Sequence, residues 1–386
     1  MSTMKNALII LLLVTSFLFF VPLSYAVENP LSVPNNKIGI HILFDSEISE
    51  AAKLVNSSGG DWGYVTIPIQ TGDKDIDKWQ HFMDQCRQMH VIPIIRLATE
   101  GDYFNTQNWR EPTYDDIIDF ANFLNSLNWP TKNRYVIVYN EVNRGDEWGG
   151  ADDPDAYAKL LDYAVHEFKY VNPDFFIISA GLDNAAPTQG TEYMQEYTYM
   201  QDMNNSVPGI FSEVDGLDSH SYPNPGFSGS PSDNSSESVD SFSHEQQLAQ
   251  QLGGKKLPIF ITETGWSTDN LTDQAIAQYY QQALSTVWND PSIVAITPFL
   301  LDANQGDFMQ FSFLKPDGSQ TLEYKSVFNY PKIKGQPILN SPQVLSASTS
   351  KARPELKFFS DTNSGSSRYP TLADNVRSVF KWLFKL

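Results

Sequence analysis

Eight short apolar runs, each followed by a longer amphipathic stretch, recur along this chain and limit what it can fold into. They read KIGIHILF (37–44), WGYVTIPIQ (62–70), VIPIIRLAT (91–99), RYVIVYNEV (134–142), FFIISAGLD (175–183), DGLDSHSYP (215–223), LPIFITETGW (257–266) and IVAITPFLL (293–301). Hydrophobicity within most runs is continuous rather than alternating, the pattern of parallel strands covered on both faces. The intervening stretches supply the cover. After the seventh run, Ile276, Tyr279, Tyr280, Ala283, Leu284, Val287 and Trp288 fall on one helical stripe. Eight strand-helix units of roughly 30–40 residues predict an α/β fold, the (β/α)₈ TIM barrel, over residues 37–334. A doubly wound open sheet is the rival, disfavoured because no glycine-rich nucleotide turn follows the first run.

Outside the repeats the chain reads differently. Lys5, the apolar stretch ALIILLLVTSFLFFVPL and then Ser24-Tyr25-Ala26 have the layout of a signal peptide over residues 1–26, cut after Ala26. The apolar run is long, so an uncleaved anchor stays open. In both cases the bulk of the chain is expected outside the cytoplasm, secreted or held at a membrane. Residues 335–370 are Pro- and Ser-rich and linker-like, and 371–386 read as an amphipathic helix with Leu372, Val376, Val379, Phe380 and Leu383 on one side. Docking on the domain and contact with a membrane surface or partner are both open for it.

Charge narrows the partners. With 46 acidic against 26 basic residues, the formal charge is −20, which argues against nucleic acid because phosphate binding needs clustered Lys and Arg. Cys86 is the single cysteine, so no intramolecular disulfide and no cysteine metal cluster is expected. The acidic stretch GGADDPDAY (149–157) fits no calcium loop and reads as a capped helix start. No metal or other cofactor is called for. The sequence does not fix the oligomeric state.

A barrel places its active site at the C-terminal ends of the strands. Glu141 is expected to end the fourth strand and Glu263 the seventh, so two carboxylates face each other across the mouth. Paired carboxylates are the equipment for glycoside hydrolysis, one protonating the leaving oxygen while the other attacks the anomeric carbon. Such a division of labour requires unequal pKa values, set by neighbours. His220 and Tyr222 lie two apart and point the same way in a strand. His41 reads as a satisfied buried histidine. Trp266 and Trp148 are candidate stacking platforms for a sugar face, with ordinary core packing as the alternative. The serine-rich stretch 224–243 falls on the catalytic face, as a substrate lid or an irregular excursion.

The Asn-Glu pair Asn140-Glu141, the ITETGW around Glu263 and the HSY of 220–222 resemble glycoside hydrolase clan A, the retaining (β/α)₈ glycosidases, over about residues 37–330. The resemblance implies Glu141 as general acid/base, Glu263 as nucleophile and Asn140 as partner of the sugar 2-hydroxyl. It implies that Tyr222 donates to the nucleophile and that His220 contacts the sugar. Two departures stand out. Thr66 occupies the second strand where cellulase-like members carry an arginine, with Arg96 on the third strand as a substitute. The eighth strand has no tryptophan, leaving Phe299 or Trp266 to floor the sugar site. The expectation is an exported retaining glycosidase acting on a neutral β-linked glycan, a carbohydrate partner without nucleic acid. A non-catalytic carbohydrate-binding surface protein and a transglycosidase of envelope polysaccharide metabolism are the alternatives.

Overall fold

The structure, a computed structural model, describes residues 27–99, 109–304 and 308–340, all within one compact unit, Met1–Pro342. The expected signal segment 1–26, most of the 335–370 stretch and the expected helix 371–386 lie outside the described residues.

All eight predicted strands are present: β1 (Gly39–His41), β2 (Gly63–Gln70), β3 (Val91–Ala98), β4 (Arg134–Ile137), β5 (Phe175–Ile178), β6 (Leu217–His220), β7 (Ile259–Glu263) and β8 (Ile293–Ile296). Every pairing is parallel, β1 to β5 in one sheet and β6 to β8 in another. Three parallel bridges join the sheets: Ile178 with Gly216 and Asp183 with His220 on the β5–β6 side, and Ile38 with Ile296 between β8 and the residue before β1. At both junctions the two sheets are thus linked only by isolated bridges rather than by a continuous ladder. The strands are shorter than the apolar runs because ladder bonding stops where the chain begins to turn into the mouth.

The helices are α1 (Ile48–Val55), α2 (Ile76–Gln88), α3 (Tyr114–Ser126), α4 (Pro154–Val171), α5 (Glu196–Ser206), the one-turn α6 (Ile210–Glu213), α7 (Ser241–Gly253), α8 (Asp273–Ser285) and α9 (Leu322–Asn329). Their starts are encoded locally. Thr113 and Asp116 form a reciprocal capping box on α3, Thr272 caps α8 and Thr321 caps α9. Asp153 caps α4 ahead of Pro154, which fits the reading of the acidic stretch as a helix start. Ile276, Tyr280, Ala283 and Leu284 of α8 are buried as the stripe requires.

Strand alternation divides the core in two. Tyr64, Ile92, Ile94, Tyr135, Ile137, Phe176, Ile178 and Phe260 fill the barrel interior. Val65, Ile95, Val136, Ile177 and Ile261 point outward and pack under the helices. The lower end of the barrel is closed by residues ahead of β1, with Val27 and Leu31 packed on the interior cluster. Residues 335–340 correct the linker reading: Leu339 pairs with Thr131, and Lys132 N donates to Ile338 O at 2.8 Å. Composition alone could not tell a docked irregular segment from a free one.

Candidate active site

Interior positions change character near the C-terminal ends of the strands. On β3 the inward series Ile92, Ile94 continues to Arg96, and on β6 the series is Asp218, His220 and then Tyr222. The outward residues Ser219 and Ser221 turn instead to α7, where Ser219 Oγ donates to Glu245 Oε1 at 2.8 Å.

Two irregularities bring the glutamates in. On β7, Phe260 faces inward, so Glu263 by simple alternation would face out. Ser219 pairs with Ile261 but His220 with Glu263, and this bulge, which passes over Thr262, sets Glu263 beside His220. On β4 the ladder ends at Ile137, four residues before Glu141, which corrects the expectation that Glu141 ends the strand itself. Tyr139 (φ 71°) and Glu141 (φ 23°) then take left-handed backbone. The turn sends the Tyr139 ring outward against Trp148 and leaves Asn140 and Glu141 in the mouth. Gly181 supplies room, because a Cβ there would lie 2.2 Å from His220 Cδ2.

One oxygen of Glu141, one of Glu263 and a ring nitrogen of His220 lie within 4.8 Å of one another. His220 Nδ1 is 3.0 Å from Glu141 Oε1 and 3.9 Å from Glu263 Oε2. Tyr222 donates to Glu263 Oε2 at 3.0 Å, and Arg96 bonds both Glu263 Oε1 and, at 2.6 Å, Asn140 Oδ1. Asn140 Nδ2 donates to Glu147 Oε2 at 2.6 Å. Arg144 Nη1 stands 3.5 Å from Glu141 Oε2 and 3.2 Å from Asp183 Oδ2, and the same guanidinium pairs with Asp146.

The charges at the site follow from these contacts. Burial opposes ionisation of Glu263, but His220 and Arg96 outweigh it and, with the Tyr222 hydroxyl, hold the carboxyl at about 2. Burial likewise opposes charge on His220, yet Glu263, Glu141 and Asp218 raise it to about 10, so an imidazolium stands between the glutamates. His41, 3.8 Å from Glu263, is pushed down to about 3 by burial and then by Arg96, and is neutral. Neither of its ring nitrogens has a hydrogen-bond partner among the described residues, which corrects the reading of a satisfied histidine. Burial first, then Glu141, pushes Glu147 up to about 8. Among the described residues Glu141, His220 and Glu263 are the one set convergent enough to hold a metal ion. Arg96 and Arg144 already place positive charge on its two carboxylates.

The cleft over these groups encloses about 420 Å³. Its β4–β5 side is charged, with Glu141, Arg144, Glu147 and Asp183. The opposite wall is aromatic, from Tyr222, Phe227, Phe299, Phe308 and Phe311. Phe227 comes from the 224–243 segment, which is packed along the rim: Asn224 N bonds Glu237 O across its neck at 2.9 Å. Phe299 stands where the resemblance looked for a strand-8 aromatic. The two tryptophan candidates are corrected. Trp266 is 1% exposed, packs on Tyr280 and Trp288, and gives its indole N–H to Gly229 O. Trp148 is 2% exposed between Tyr139 and Tyr157. Both indoles fill core behind the cleft. Sequence reasoning missed Glu147, Arg144 and Asp183, whose only signal is their place just after the fourth run and at the end of the fifth.

The fold is of the kind carried by (β/α)₈ glycoside hydrolases. No protein-family model and no curated protein matches the sequence, whereas many solved structures match the fold. A family 39 glycoside hydrolase from Bacteroides cellulosilyticus WH2 superposes with a TM-score of 0.53 at 17% identity, over 78% of this chain and 64% of that one. A monomeric β-xylosidase from Caulobacter crescentus CB15 gives 0.53 at 15% identity, over 76% and 68%. A glucosidase from Croceicoccus marinus gives 0.56 at 11%, over 78% and 67%. The chain thus spans just under two thirds of the first of these, and the likeness is one of fold. It agrees with the clan A resemblance and singles out no member family.

Proposed function

We propose that the protein is a retaining glycoside hydrolase that cleaves β-glycosidic bonds of a neutral poly- or oligosaccharide. The observation that carries this is the approach of the Glu141 and Glu263 carboxylates to within 4.8 Å. Retaining enzymes hold their two carboxyl groups about 5–5.5 Å apart, whereas inverting ones need about 6.5–9.5 Å to admit a water. Glu263, kept ionised, attacks the anomeric carbon while Glu141 protonates the departing oxygen, and a covalent glycosyl-enzyme forms. Glu141, now a carboxylate, takes a proton from water as that water displaces Glu263 and releases the sugar. His220 and Arg96 hold the nucleophile charged, and Tyr222 aims one of its oxygens. Asn140 meets the sugar 2-hydroxyl, a contact that strengthens as oxocarbenium character develops. The aromatic wall offers Phe227 and Phe308 to the C–H faces of the sugar rings. Export is part of the proposal and rests on the Lys5-to-Ala26 motif alone.

Incubation with a panel of activated 2-deoxy-2-fluoro glycosides, followed by intact mass, tests the reading. A covalent adduct that disappears in Glu263→Ala is the expected result and also names the sugar. No adduct and no turnover with any member would overturn it.

A further inference from the structure

We propose that Glu147 is a positioning residue that fixes the amide of Asn140 for the sugar 2-hydroxyl. The inference rests on the glycosidase reading and deepens it. An asparagine amide can turn over with little change in shape, exchanging its acceptor oxygen for its donor nitrogen. At Asn140 both ends are assigned. Arg96 Nη1, which can only donate, lies 2.6 Å from Oδ1, and a carboxyl oxygen of Glu147 lies 2.6 Å from Nδ2. Turning the amide over would set donor against donor at Arg96, so Arg96 fixes which end is which, while Glu147, protonated or not, holds the amide in place through its nitrogen.

Arg96 is shared with Glu263, so it follows the nucleophile as well as the amide. Glu147 has no such second duty among the hydrogen bonds of the described site, and it stands on a turn built to hold it. Gly145 N donates to Glu192 O at 2.7 Å, Glu147 N to Arg144 O at 3.1 Å and Gly150 N to Gly145 O at 2.7 Å. A Cβ at Gly145 would meet the Ala151 backbone at 2.9 Å, so the turn is closed against itself. Glu147 also lines the cleft, within reach of water and substrate. The groups facing it are Asn140 by hydrogen bond, with Glu141, Arg144 and Arg96 as charges. Burial keeps a proton on Glu147 through neutral pH, and a protonated carboxyl still offers an oxygen to Nδ2.

The test uses the full chain, para-nitrophenyl β-glycosides of glucose, mannose, galactose and xylose, and the 2-deoxy counterpart of whichever is turned over. Glu147→Ala is expected to lower kcat/KM about 10- to 100-fold on the 2-hydroxy substrate and to stay within about 3-fold on the 2-deoxy one. Glu147→Gln, whose amide oxygen still accepts, is expected to keep both within about 3-fold. Asn140→Ala with Glu147→Ala should be no worse than Asn140→Ala alone, the coupling expected of one shared interaction. Equal losses on both substrates, multiplicative losses in the double variant, or a Gln variant as poor as Ala would overturn the assignment. The last outcome would instead make Glu147 a proton donor. Melting temperatures guard against misfolding, and the Gln variant keeps the test open if Ala unfolds. If the unsubstituted protein turns over none of these glycosides and takes no fluorosugar label either, the glycosidase reading fails and this inference with it; turnover with unselective loss removes this inference alone.

Discussion

Deleting a single oxygen, in Tyr222→Phe, isolates one of the groups that hold Glu263 ionised. The ring keeps its neighbours, with Phe227 and Phe311 at centroid distances of 5.1 and 5.9 Å, so packing changes little. What is lost is one O–H donor 3.0 Å from Glu263 Oε2. A hydrogen bond to a charged group contributes about 1.5–3 kcal/mol. At about 1.4 kcal/mol per pKa unit, its loss raises the Glu263 carboxyl by about 1 to 2 units. The carboxyl starts at about 2, so it stays ionised at neutral pH and still takes the fluorosugar label. The acid limb of the labelling rate against pH therefore moves up by about 1 to 2 units. Stability carries the same sign. A carboxyl held below its ordinary 4.5 stabilises the fold above that pH and loses the contribution as pH falls through about 2. The variant's deficit, about 1.5–3 kcal/mol at pH 7, should therefore shrink on acidification. Labelling kinetics and denaturant melts across pH read both effects. An acid limb that does not move, in a variant that melts normally, would refute the claim that the hydroxyl holds the charge.

Glu141→Ala should lose far more activity on glycans with poor leaving groups than on aryl glycosides with good ones, since only the former need its proton; equal losses would withdraw its acid role. Gly181→Ala drives a methyl into His220, and kcat/KM is expected to fall at least about 10-fold with about 1–3 kcal/mol of destabilisation in denaturant melts. Glu323, buried at the start of α9, is pushed up to about 7 by burial against an ordinary 4.5. Its raised value makes its contribution full below about pH 4.5 and lost as pH rises through about 7, so Glu323→Gln should match the parent at pH 4 and exceed it at pH 8, by at most about 3 kcal/mol in urea melts.

Much of this site was legible because the barrel rule acts on position: a polar residue just past a buried run emerges at the mouth. That sufficed for Asn140, Glu141, His220, Tyr222, Glu263 and Arg96. It did not suffice for Trp148 and Trp266, because an aromatic side chain after a strand serves the outer core as readily as the cleft; for Trp148 the turn at Tyr139 decides which. Glu147 was hidden for the opposite reason, as an acidic residue in a glycine-bounded turn reads as solvated until the amide it meets is known. His41 was half legible: its burial follows from β1, but its missing partners depend on what Arg96 and Glu263 do with each other. At Glu263 the outcome matched while the local path did not, since plain alternation points it outward and a bulge brings it back.

The left-handed residues Tyr139 and Glu141 have a consequence for anyone breeding this protein for heat resistance. A side chain in that backbone region costs about 1–3 kcal/mol, which glycine would not incur. Selection on melting temperature alone would leave Tyr139, whose buried ring packs on Trp148, and drift toward Glu141→Gly, harvesting sturdier barrels with their chemistry erased. Screens on this scaffold must score turnover and robustness together.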